Sequence, residues 1–201
     1  SIPKIVPGTY SVDNYGKYIE DFKAFDSKGN ILSVTKTDDN TWTIKNAKAL
    51  VKITYWVNDT FDTEKGDGFG QNDVFFFFFL NIDAGKNFML NMHGFVGYFQ
   101  DKKDLPYTVY ISFSYSLWGA TSMTDLDAST TNDKFTTARY AELVENPIMY
   151  AKPDYTTFTV DGMEILIGVY SPTGKVTAES ITPDIKTMMI AQKTFLGKIY
   201  A

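Results

Sequence analysis

Apolar and polar residues alternate with a period of two along several stretches of the chain, the pattern of strands with one buried face. In residues 50–57, Val51, Ile53, Tyr55 and Val57 fall on one side and Lys52 and Thr54 on the other. Residues 107–115 repeat the pattern, with Val109, Ile111 and Phe113 inward and Thr108, Ser112 and Ser114 outward, as in a sheet with one solvated face. Asp161-Gly162 stands between two further alternating runs, 156–160 and 163–170. That dipeptide adopts the positive φ angles of a type I′ hairpin at little cost. Gly29, the Asp38-Asp39-Asn40 cluster and the Gly-rich stretch 66–70 mark other turns. Short strands at this spacing predict a mainly β, antiparallel β-sandwich-like domain.

Helical periodicity enters twice. Residues 137–144 predict a short helix that stops before Pro147. Near the end, Thr182-Pro183 reads as N-cap and first helical residue, and Ile185, Met188, Met189, Gln192, Phe195 and Leu196 follow at amphipathic spacing, with Gly197 suited to the C-terminal cap. One C-terminal amphipathic helix after an all-β region has no helical neighbour. Residues 1–178 are therefore expected to form the β domain, and 179–201 to be the first helix of a second domain.

The five consecutive phenylalanines at 75–79 would put rings on both faces of a strand, so a strand covered on both sides is expected there. No apolar run approaches the roughly 18 to 20 residues of a membrane-spanning helix, so no membrane span is expected.

Composition removes whole classes of chemistry. The formal charge is −5, and of 19 basic residues only Arg139 is an arginine, which leaves no guanidinium cluster for nucleic acid. The chain has no cysteine and one histidine, His93. An H-E-x-x-H zinc motif needs two imidazoles one helical turn apart, so it cannot be built here. His93 lies in Asn91-Met92-His93-Gly94-Phe95 without a nucleophile elbow, and is expected to be structural. The acidic loop 59–73 has oxygen ligands that suit calcium but lacks EF-hand spacing, and reads as a solvated loop. Trp42, Trp56 and Trp118 could stack on sugars but fit core or rim positions better. No catalytic residue, metal ligand or cofactor is expected in this chain.

Several blocks resemble the N-terminal β domain of the glycyl aminopeptidase family of zinc metallopeptidases. They are Val6-Pro7-Gly8-Thr9-Tyr10-Ser11, the run from Asn14-Tyr15-Gly16-Lys17-Tyr18 to Ala24, Gly85-Lys86-Asn87-Phe88, Asn91-Met92-His93-Gly94-Phe95 with Gly97-Tyr98-Phe99, and Glu142-Leu143-Val144-Glu145-Asn146-Pro147-Ile148-Met149-Tyr150. The helix after Pro183 is similar to the start of the family's thermolysin-like catalytic domain. The resemblance implies that zinc and the catalytic residues belong to that following domain in the parent protein. It implies as partners the parent's own catalytic domain and a peptide substrate. It also places Glu145 and Asn146, at the tip of a turn fixed by Pro147, against the substrate cleft as candidate substrate-binding residues. The family's β domain has strands upstream of the Pro-Gly block, so a sheet edge here is expected to pair with another chain or an N-terminal peptide. The alternative reading is a stand-alone cell-envelope module that binds glycan or protein.

Overall fold

In a computed structural model the described residues are 1–5, 12–58 and 81–197. The acidic loop, the Gly-rich stretch 66–70, the phenylalanine run and the Val6-to-Ser11 block lie outside them. Thirteen strands are present among the described residues: β1 Ile19–Asp26, β2 Ile31–Leu32, β3 Val34–Asp38, β4 Thr41–Ile44, β5 Leu50–Val57, β6 Asn81–Asp83, β7 Asn87–Leu90, β8 Tyr107–Ser112, β9 Trp118–Ala120, β10 Asn132–Thr137, β11 Ile148–Ala151, β12 Tyr155–Val160 and β13 Met163–Gly168. Three α-helices accompany them, α1 Met92–Phe95, α2 Tyr140–Glu145 and α3 Ala178–Leu196, with short 3-10 turns at Tyr15–Tyr18 and Ala47–Ala49. The sheets are small, ordered β2-β1-β5, β3-β4, β8-β10, β6-β7-β11-β9 and β12-β13. The chain is mainly β and ends in a helix, as its periodicity predicts.

The chain divides into two compact units. The first comprises Ser1–Ile82, Met89–Val109 and Phe135–Ile148. In it β1 turns into β2 at Gly29, whose φ of 82° lies in the region open to glycine. Asp26 closes that turn by accepting the amides of Lys28 and Asn30, both at 2.9 Å. β1 then pairs antiparallel with β5 from Ile19 opposite Val57 to Asp26 opposite Leu50, broken by a bulge between Glu20 and Lys23. A second irregularity lies at Phe25 and Asp26, near the start of β5, and Val51 is 64% exposed, contrary to the inward position that strict alternation assigns it. A bulge shifts which residues face inward, so alternation cannot be extended through it. Ile2, Tyr15 and Ile19 form the buried core, with Phe22, Trp42, Tyr55, Val57 and Val144 packed on it. Trp42 and Phe22 stack with centroids 4.8 Å apart, and Trp42 thus packs, partly buried, against the core of this unit. Trp56 is exposed.

The second unit comprises Asp83–Phe88, Tyr110–Lys134 and Met149–Ala201. Its β12-β13 hairpin is in register from Tyr155 opposite Gly168 to Val160 opposite Met163, and Asp161 and Gly162 turn it with φ of 57° and 84°. β9 and β11 pair antiparallel. Tyr150 on β11 donates to the buried carboxylate of Asp133 at 2.6 Å, under the ring of Phe113 at 4.7 Å. Gly119 fits beside them because a Cβ there would stand 2.7 Å from Asp133 Oδ2. Trp118 stacks on Tyr155 at 4.4 Å.

The start of the last helix corrects the sequence reading. Thr177, not Thr182, is the N-cap. Its side chain accepts the amide of Ser180 at 3.1 Å while Ser180 Oγ accepts the amide of Thr177 at 2.9 Å, a reciprocal capping box. Pro183 lies inside the helix, and Thr182 bonds back to the Ala178 carbonyl and pairs with Thr156 on β12. Gly197 does end the helix, with φ of 78°. Only Ala178 of α3 is buried, and Met188, Phe195 and Leu196 are exposed.

Candidate functional site

The site grows from α2, which its own short sequence could not hold, since six residues are far below what folds alone in water. Glu142 stabilises its start by accepting the Ala138 amide at 2.8 Å through Oε2 and pairing with Arg139 Nε through Oε1 at 3.4 Å. Tertiary contacts supply the rest. Tyr140 is buried, donates its hydroxyl to the Val96 carbonyl at 2.6 Å, and meets the rings of Tyr98 and Tyr107 at 5.2 and 5.4 Å. Burial pushes its phenol well above the usual tyrosine range, with its neighbouring tyrosines adding to the shift. Its amide donates to the Lys103 carbonyl at 2.8 Å. Leu143, one turn on, is fully buried, and truncating such a side chain to alanine costs about 2–5 kcal/mol.

This anchoring presents Glu145, exposed at the end of α2, to a cleft of about 960 Å³ in the first unit. The cleft is lined by residues far apart in sequence, among them Lys4, Asn40, Asn91, His93, Tyr98, Lys103, Asp104, Arg139, Tyr140, Val144 and Pro147. Asn146, the other candidate, caps α2: its Nδ2 donates to the Glu142 carbonyl at 2.6 Å, and it is not among the cleft-lining residues. His93 is only 2% exposed and meets the edge of Tyr15 with ring centroids 4.4 Å apart. Tyr15 donates to the buried Asp13 at 3.1 Å. Burial first, and then the Asp13 carboxylate, push the Tyr15 phenol above its ordinary range. Arg139, Lys103 and Tyr98 were not candidates in the sequence reading, because loops separate them and no spacing connects them.

Among the described residues no three His, Cys, Asp or Glu side chains are grouped so as to hold a metal ion, and the residues of this cleft do not fit zinc, which requires several nitrogen, sulfur or carboxylate ligands in one tetrahedron. Among the described residues no helix is long and apolar enough to cross a membrane.

The fold and cleft thus define a mainly β, antiparallel chain with a C-terminal helix and a charged, open groove. It is similar in fold to a crystal structure of an aminopeptidase N family protein from Idiomarina loihiensis, with a TM-score of 0.75 at 17% identity. The match covers 98% of this chain and 32% of that one, so the chain spans about a third of the length of the solved structure. No curated protein matches. The family model for the peptidase M61 N-terminal domain matches residues 1–152. The chain belongs to that family.

Proposed function

We propose that this chain is the non-catalytic N-terminal β domain of a zinc-dependent aminopeptidase, packing against the parent's catalytic domain and walling its substrate cleft. The observation that carries this reading is the placement of Glu145: an exposed carboxylate on a helix end fixed by Tyr140 and Leu143, lining a groove with room for a short peptide, in a chain of a peptidase family. An aminopeptidase must recognise a free α-ammonium, and a carboxylate does so through charge-assisted hydrogen bonds. Asn146 supports that group by capping the helix that holds it. Helix α3, Ala178–Leu196, is the opening helix of the catalytic domain, whose remainder would cover the exposed Met188 and Phe195. Zinc belongs to that domain.

Glu145→Gln in the full-length parent tests the reading. KM for glycyl and alanyl substrates should rise about tenfold with kcat little changed, as when binding common to ground and transition states is lost. Unchanged KM and kcat would remove Glu145 from the site.

A further inference from the structure

The two ends of α2 carry the wrong charges for the helix itself. Arg139 occupies the N-cap, at the positive end of the helix dipole, and Glu145 is the last helical residue, at the negative end. Each is disfavoured there by a few tenths of a kcal/mol. The favourable position is already taken, because Glu142 supplies the acid of the first turn. Helix stability therefore does not account for Glu145, and Arg139, though tied to the first turn by Glu142, keeps a largely exposed guanidinium. What they share is the cleft, which both line.

Arg139 caps the helix and Glu145 ends it, so their backbones lie about 9 Å apart along the axis and their long side chains leave it about 120° apart around it, both lining the cleft. An extended peptide of two or three residues carries its ammonium and carboxylate about 7–10 Å apart. We infer that Arg139 and Glu145 hold the two ends of a free dipeptide or tripeptide, Glu145 the α-ammonium and Arg139 the α-carboxylate. The assignment of Glu145 rests on the proposed function, whereas that of Arg139 is new. Arg139 suits the task because its ion pair with Glu142 is made through Nε and its side chain is 56% exposed, and a guanidinium binds carboxylates in a bidentate fork. Lys103 also lines the cleft, but its ammonium lies 4.0 Å from the Tyr98 ring centroid and the adjacent Asp104 lines the same wall. It adds positive field beside Arg139 without a fork of its own.

The test is titration of this chain with Ala-Ala, its C-terminal amide and its N-acetyl form, followed by amide chemical shifts of the cleft residues. Ala-Ala should bind, and both modified forms should bind about tenfold or more weakly, the scale of a lost charge-assisted hydrogen bond. In Arg139→Gln the penalty for amidation should vanish while that for acetylation stays. In Glu145→Gln the reverse should hold. Arg139→Lys, which keeps the charge and the Glu142 pair, should restore part of the amidation penalty, and it carries the test if Arg139→Gln disturbs α2. An amidation penalty that is absent, or equal in wild type and Arg139→Gln, overturns the role of Arg139 and leaves Glu145 standing. An acetylation penalty that is absent overturns Glu145 instead. Failure of all three peptides to shift any cleft residue overturns both.

Discussion

Removal of one hydroxyl, Tyr150→Phe, probes the buried polar pair of the second unit. The ring is retained, so its contact with Phe113 persists and the change in volume is close to zero. What is lost is the 2.6 Å hydrogen bond to Asp133, whose residue is 8% exposed. A hydrogen bond to a charged group contributes about 1.5–3 kcal/mol, and a carboxylate left behind in the interior keeps its desolvation cost. Burial already holds the Asp133 carboxyl above its ordinary range. The Tyr150 bond opposes that shift, and the Asp125 and Asp127 carboxylates add to it. A carboxyl whose folded pKa is raised contributes stability below its unfolded pKa, and that contribution is lost as pH rises through the folded value. Deleting the opposing bond raises the folded value further, so the variant should lose more stability at pH 7 than near pH 3, which lies below both the ordinary aspartate value and the raised folded one. Urea unfolding at the two pH values measures this. At neutral pH the midpoint should fall by about 1 M, given slopes of about 1–3 kcal/mol per molar. An equal loss at both pH values, or a loss below about 0.5 kcal/mol at neutral pH, would refute the assignment of Asp133 as a carboxylate held by Tyr150.

Two further substitutions test local geometry. Gly16→Ala would put a Cβ 2.3 Å from the Asp39 carbonyl oxygen and 2.6 Å from the Asn40 Cα, both backbone atoms, and should cost about 2–3 kcal/mol by thermal or urea unfolding; a neutral result would mean that the Asp39-Asn40 turn is free to shift. Thr177→Ala removes half of the capping box of α3 and should destabilise that helix by about 1 kcal/mol, seen as faster amide exchange in its first turn, whereas unchanged exchange would place the cap elsewhere.

The hairpin at Asp161-Gly162 was legible because its signal is local: two residues that tolerate positive φ between two alternating runs. β8 was legible for the same reason, its exposure alternating along all six residues. The start of α3 was not, since two Thr-led starts compete within six residues and Thr-Pro is the more familiar motif. The outcome is decided by Ser180, whose hydroxyl completes the box with Thr177, and by a helix long enough to tolerate Pro183. Val51 was misassigned because it is the extra residue where Phe25 faces Lys52 and Asp26 faces Leu50, and such an irregularity in β5 leaves no mark on the alternation of residue types. In the cleft, turn chemistry and family resemblance together pointed to Glu145. Arg139 and Lys103 reach the same groove only through the Tyr140 amide on the Lys103 carbonyl, a contact between residues distant in sequence.

Amide hydrogen exchange, compared between this chain alone and the full-length parent, tests the central claim most directly. If the chain packs against a catalytic domain and walls its cleft, residues 139–147 and the outer flank of α3 around Met188 and Phe195 should be markedly better protected in the parent, while the β12-β13 hairpin turn at Asp161-Gly162 exchanges alike in both. Equal exchange of α2 and α3 in the two proteins would show that neither surface is covered, and would contradict the account.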